Sequence, residues 1–251
     1  MDHKDYKRIN VWLKDLREKH YIEWIYNGDH FAEKTKPAIY YLGIDSIRLL
    51  KQQTNAVNDD VRSHSIEALR KRYREASRSQ TFIDRCLLLG DCGINLRAST
   101  ANSKEYGYET EADFSDPNSG YHFLNDNELI HPHLLYEKQE HKKTGTITTN
   151  YLLEVFDATL PRYRIKKRLS NYVEYLDDGE WQSETGDDKP PIILLVCPLT
   201  SDLIYAKRRT RGLLADIQDT DTDEEDGLHI RFATVERLRD KGVTGKIWEE
   251  A

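Results

Sequence analysis

The stretch HLLYEKQEHKKTGTITTNYLLEVF (133–156), followed by LPRYRIKKRLSNYVEYL (160–176) and IILLVC (192–197), decides the fold. HLLYEKQ (133–139) and TITTNYLLEVF (146–156) have the composition of strands and are joined by the turn-like HKKTG. Residues 160–176 have a helical pattern, with Pro161 suited to the first turn because its fixed φ and missing N–H cost nothing there. IILLVC is a continuous apolar run, as a central strand covered on both faces requires. Further on, TSDLIYAKRRTRGLLADI (200–217) predicts a helix capped by Thr200 or Ser201. LHIRFAT (228–234) predicts a strand and VERLRDK a last short helix. With the helical TFIDRCLLLGDCGINLRAS (81–99) ahead of it, the order strand, strand, helix, buried strand, helix, strand predicts an α/β sandwich. In it a mixed sheet is flanked by helices. Residues 100–130, rich in Ser, Asn, Gly and Asp, give no assignment.

The front of the chain has a different character. From Asp5 to His20, Ile9, Trp12, Leu13 and Leu16 fall at i, i+3, i+4 and i+7, the stripe of an amphipathic helix. Lys4, Lys7, Val11 and Lys14 project from the opposite side. YIEWIY (21–26) alternates as a strand, NGDHFAEKTKP (27–37) reads as a polar turn, and AIYYL (38–42) as a second strand. A helical stretch (43–53) and an unpatterned connection (54–60) follow. Helix, strand, turn, strand is the back half of a winged helix, in which the helix enters the major groove and the hairpin touches adjacent phosphate. On that reading Lys4, Lys7, Arg8 and Lys14 are groove and phosphate contacts, and Asn10 is the candidate for reading a base edge. Asn27, Lys34 and Lys36 lie on the wing. The two helices that usually precede this unit have no room before residue 5, so the expectation is a partial winged helix at 1–58, followed by an α/β domain at 59–251.

Charge agrees with that division. Residues 1–75 hold fifteen Lys and Arg against twelve Asp and Glu, whereas the remainder is acidic enough to bring the chain to −7. Nucleic-acid contact is therefore expected at the front. Arg70-Lys71-Arg72-Tyr73-Arg74 offers a second basic run on a helical pattern (63–77). Three cysteines (Cys86, Cys92, Cys197) are too few for a disulfide framework, and no apolar stretch reaches the roughly 20 residues of a membrane span. The N-terminus has no apolar segment that reads as a signal peptide, so a reduced cytoplasm is expected. Gly242-Val243-Thr244-Gly245-Lys246 lacks the spacing and the hydroxyl of a phosphate loop and reads as a turn. The acidic run at 219–226 does not match an EF-hand and reads as a solvated loop.

Two groups of segments resemble the replication-relaxation family of plasmid and mobile-element proteins. One is KRINVWLKDLREKHYIEWI with AIYYLGIDSIRLLK. The other is TNYLLEVFDATLPRYRIKKRLSNYVEYL with PPIILLVCPLTSDLIYAKRR and IRFATVERL. The resemblance implies a winged helix joined to a domain of restriction-endonuclease-like fold, with roles in plasmid replication and DNA relaxation.

Nucleases of that fold hold Mg²⁺ with an Asp on one strand and the Glu of a Glu-x-Lys on the next, whose lysine helps activate water. Here His133 stands at the Asp position, Glu154 at the Glu and Phe156 at the Lys. Asp157 offers a substitute carboxylate, and Lys166 or Lys167 could swing back from the following helix. The expectation is DNA binding without catalysis and without a cofactor. A nuclease, were it active, would use Glu154, Asp157 and Lys167 with Mg²⁺. His131 and His133, two apart on a strand, could join Glu154 in a transition-metal site. The remaining alternative is a protein-interaction module, completed by a partner chain or a second copy through Trp12, Trp24, Tyr40 and Tyr41.

Overall fold

The computed structural model describes residues 6–26, 37–46, 49, 70, 73–101, 103–143, 145–217 and 228–251. By internal contacts the chain divides into two compact units, Met1–Ile83 with Ser115–Ser119, and Asp84–Phe114 with Gly120–Ala251. The division falls inside a helix, well past residue 58, which itself lies outside the described residues.

The second unit carries a six-stranded mixed sheet in the order β3-β4-β5-β6-β7-β8. Strands β3 (Lys104–Thr110), β4 (Leu134–Lys142) and β5 (Gly145–Val155) form an antiparallel meander. Strands β5, β6 (Ile192–Cys197) and β7 (Ile230–Thr234) run parallel, and the two-residue β8 (Glu249–Glu250) closes the far edge antiparallel. Each parallel step needs a crossover. Helix α5 (Arg162–Asp177) provides the first and α7 (Thr200–Ile217) the second. The remaining helices are α2 (Gln80–Ser99), α3 (Glu111–Phe114), α4 (Phe123–Asp126), α6 (Glu180–Thr185) and α8 (Val235–Lys241).

Strand alternation sorts the core into two layers. Leu135, Leu152, Ile193, Leu195, Ile230 and Phe232 pack against Ile165, Leu169 and Tyr172 of α5 and Leu203 and Ala206 of α7. Leu134, Leu153, Val155, Leu194, Val196 and Ala233 pack against Leu88, Leu89, Cys92 and Leu96 of α2 and Leu238 of α8. The mixed sheet flanked by helices is thus the α/β architecture that the strand and helix order predicts. Sheet residues Ile193–Cys197 are all buried, because both faces of β6 are covered.

Several elements depart from the sequence reading. Strand β3 and helices α3 and α4 lie in the segment left unassigned. Helix α6 lies in DDGEWQSETGDDKPP, which reads as a polar loop; it is bracketed by Gly179 and Gly186, both left-handed (φ 67° and 74°), and buries Trp181 completely. The Gly242–Lys246 segment is a turn, as expected, and it is built into the unit. Gly242 adopts φ 71°, and Asn95 of α2 accepts hydrogen bonds from the Thr244 N–H (3.1 Å) and hydroxyl (3.0 Å). The acidic run at 219–226 and much of 43–53, 54–60 and 63–77 lie outside the described residues, including Lys71 and Arg72. Among the described residues no helix is long and apolar enough to cross a membrane.

Candidate functional site

In the first unit, helix α1 (Tyr6–Glu18) leads into the antiparallel pair β1 (Ile22–Ile25) and β2 (Ile39–Leu42). The helix ends where His20 takes a left-handed φ of 56°. The Tyr21 N–H then reaches the Leu16 carbonyl and the His20 N–H the Arg17 carbonyl, both at 2.9 Å. This is the paired closure of a Schellman cap, with histidine at the position usually given to glycine. Gly43 completes the corner. Its N–H donates to the Tyr21 carbonyl at 2.8 Å, and a Cβ there would stand 2.2 Å from the His20 carbonyl oxygen. The end of α1 and the base of the hairpin are therefore held in one local arrangement.

Lys7, Arg8, Asn10 and Lys14 are all exposed on α1, while Ile9 and Leu13 are half-buried. Trp12 and Leu16 also keep substantial exposure (49% and 38%), so the stripe read as core-facing is only partly covered. Helix α1 carries four basic side chains against two acidic ones, and Lys14 and Glu18 approach to 3.7 Å. An exposed pair of that kind contributes little to stability. Lys4, Asn27, Lys34 and Lys36 lie outside the described residues. On the hairpin, Trp24 pairs across the strands with Tyr40, and Glu23 with Tyr41 on the opposite face. The Tyr41 hydroxyl donates to Glu23 at 2.8 Å and its ring lies 6.3 Å from that of Tyr73. Tyr41 is thus separated from the exposed aromatic set with which the sequence grouped it.

In the second unit, the residues expected at a nuclease motif, His133 and Glu154, lie at the start of β4 and the end of β5. The register Leu134↔Leu153 places His133 across from Glu154. His133 does not present its ring to a ligand there. Its Nδ1 accepts the Val155 N–H at 3.0 Å, standing in for a ladder carbonyl, while its own carbonyl takes the Glu111 N–H at 3.0 Å. Burial, reinforced by Arg85 and Arg168, holds its pKa well below the usual histidine range, so the ring is neutral. His131 precedes the strand and is exposed, contrary to the expectation of two histidines on one strand face. Among the described residues no group of three His, Cys, Asp or Glu side chains could hold a metal ion, so His131, His133 and Glu154 do not form one.

Glu154 is 4% exposed on the face covered by α5. Arg168 brings its Nε to 3.7 Å from Oε1, and Tyr172 sets its hydroxyl beside the same carboxyl. Neither that hydroxyl nor Oε2 completes a hydrogen bond of ordinary geometry. Burial pushes the Glu154 pKa up to about 7 against the pull of Arg168. Lys166 and Lys167 are exposed, because the inward stripe of α5 runs through Ile165, Leu169 and Tyr172. The cation that reaches Glu154 is therefore Arg168, three residues from Ile165 on the same side of the helix. That spacing was the available signal, and sequence reasoning passed over it. Phe156, at the Lys position, is buried in the core. Asp157 is turned back on its own loop. Its Oδ1 accepts the Thr159 N–H (2.8 Å) and hydroxyl (2.7 Å), bonds that lower its pKa. Of the set Glu154, Asp157 and Lys167, the first is buried, the second is bound to Thr159 and the third is exposed.

Comparison with protein-family models, with curated proteins and with solved structures finds no match.

Proposed function

We propose that this chain binds double-stranded DNA through α1 and the β1–β2 hairpin. Its role is that of a non-catalytic accessory or regulatory protein of a plasmid or other mobile element, of the replication-relaxation kind. One observation carries the reading: Lys7, Arg8, Asn10 and Lys14 are exposed together on a helix that runs directly into a two-stranded hairpin. A helix of about 10 Å diameter fits the major groove, and its lysines and arginine supply the phosphate contacts that dominate affinity. The cytoplasm is the proposed location, where free thiols such as those of Cys86, Cys92 and Cys197 persist.

The test is a titration of blunt duplex DNA at about 50 mM and 200 mM salt. Several phosphate contacts should make affinity fall steeply, by a factor on the order of a hundred or more. Absence of binding at the lower salt removes the reading.

A second reading, a metal-dependent nuclease, draws on the buried, incompletely bonded carboxyl of Glu154. Against it stand the neutral His133, the exposed Lys167 and an Asp157 bound to Thr159 in its own loop. Supercoiled plasmid incubated with Mg²⁺ or Mn²⁺ is expected to remain intact. Nicking that disappears in Glu154→Ala would establish this second reading instead.

A further inference from the structure

One face of the hairpin carries aromatic rings that stay partly exposed. Trp24 and Tyr26 stack at 5.3 Å between ring centroids, and Trp24 meets Tyr40 at 6.2 Å across the strands. The Arg17 guanidinium sits 3.8 Å from the Trp24 ring centroid. With these neighbours in place, Trp24 still exposes 42% of its surface, Tyr26 42% and Tyr40 38%. Large rings left in water along one short strand pair represent unrealised burial, so an occupant is expected.

Chemistry selects the occupant. The acidic residue of the described hairpin strands, Glu23, points to the other face and is engaged by Tyr41. A guanidinium already lies over the Trp24 ring, and on α1 Arg17 shares one side of the helix with Asn10 and Lys14, which are exposed. Flat rings bordered by cations match a nucleobase and its phosphate: the base stacks, and the backbone meets the positive charge. An apolar protein partner needs no cations at its edge.

We propose that the Trp24–Tyr26–Tyr40 face is a stacking platform for unpaired bases, so that the protein prefers DNA with a single-stranded arm to fully paired DNA. This rests on the duplex-binding reading above, which places the paired part of the same DNA on α1. Stacking is tolerant of sequence, because every base has a π-face. The preference is therefore for strand state and not for a particular base.

The test compares a blunt duplex, the same duplex with a twelve-nucleotide thymidine arm, and the free arm, by fluorescence anisotropy. The armed duplex should bind roughly tenfold more tightly than the blunt one, the scale of one or two stacked bases. Trp24→Leu should abolish that ratio, and Trp24→Phe, which keeps a ring, should retain most of it. The wild-type chain supplies a readout that needs no substitution. An arm carrying 5-iodouracil should cross-link on illumination to Trp24, Tyr26 or Tyr40, as mapped by mass spectrometry. Equal affinity for armed and blunt duplexes overturns the proposal, as do cross-links confined to other residues. Binding of the blunt duplex without the arm preference removes the platform alone. Binding of the free arm without the blunt duplex removes the duplex reading and leaves the platform standing. A dimer that dissociates in Trp24→Leu while DNA binding is unchanged would make this face a chain–chain interface and overturn the proposal.

Discussion

Trp24 and Trp181 mark the contrast between the two units. Trp181, in a six-residue helix of the sheet unit, is fully buried and stacks on Tyr121 at 6.0 Å. Trp24, on the hairpin, stacks as closely on its neighbours and yet leaves 42% of its surface in water. The ion pairs differ in the same way. Arg168 meets a Glu154 whose side chain is 5% exposed, whereas Lys14 and Glu18 face each other with 68% and 62% exposed. In the sheet unit Trp181 and Glu154 are both taken into the interior. In the helix–hairpin unit Trp24, Lys14 and Glu18 keep large exposed surfaces. On the proposed reading, recognition falls to the front of the chain and a scaffold role to the sheet.

The largest expected effect tests the scaffold half of that contrast. Leu194, at the centre of β6 and 1% exposed, is packed against the α2 face. Leu194→Ala should cost about 3 kcal/mol through lost burial and a residual cavity, read as a lower denaturation midpoint with an unchanged slope. A loss below about 1 kcal/mol would show that this core is not tightly packed.

The next effect is smaller and depends on pH. The Glu154 carboxyl is held at about 7, above its ordinary 4.5. Between those values the native state binds the proton more tightly than the unfolded chain does. The stability this provides is complete below pH 4.5, falls as pH rises, and is gone above pH 7. Glu154→Gln is permanently neutral and escapes the loss. Its advantage over the wild type should grow from pH 5 to pH 8, reaching on the order of 2 kcal/mol. His133 has the opposite sign, since its lowered pKa gives stability that is lost as pH falls below 6.5. Being common to both proteins, it cancels in the difference. Thermal melts at the two pH values read the effect, and a pH-independent difference would refute the assigned cause.

The smallest effect belongs to the front. Val11 is 64% exposed on α1, so Val11→Ala should change stability by no more than about 0.5 kcal/mol. A larger cost would mean that this helix face is covered within the protein and is not a recognition surface.

The sheet unit was the more legible in sequence because its elements are long and their burial is periodic. Strand β6 and helix α7 coincide with IILLVC and with residues 200–217. Strand β3 escaped because KEYGYET carries Gly107 at its centre and follows a polar segment, and its tyrosines are only half-buried at the sheet edge. Helix α6 escaped because six residues are too few to display a helical period. The site was less legible than the fold. Linear spacing from a Glu-x-Lys pattern directed attention to Lys167, whereas the turn of α5 brings Arg168 to Glu154. The use of His133 as a backbone acceptor depends on a strand end that no periodicity encodes. At the front, the exposed side of α1 was readable from its helical projection, but the separation of Tyr41 from Trp24 and Tyr40 required the register of the hairpin.

The central claim, that recognition lies on α1, is tested most directly by charge reversal. Wild type and the Lys7→Glu, Lys14→Glu double variant are titrated with the same blunt duplex across a series of salt concentrations. The account predicts steep salt dependence in the wild type. The variant should bind at least about tenfold more weakly, and its salt slope should be reduced by about one for each lysine that meets a phosphate. Equal affinity and equal slope for the two proteins, with the variant folded as the wild type, would contradict it.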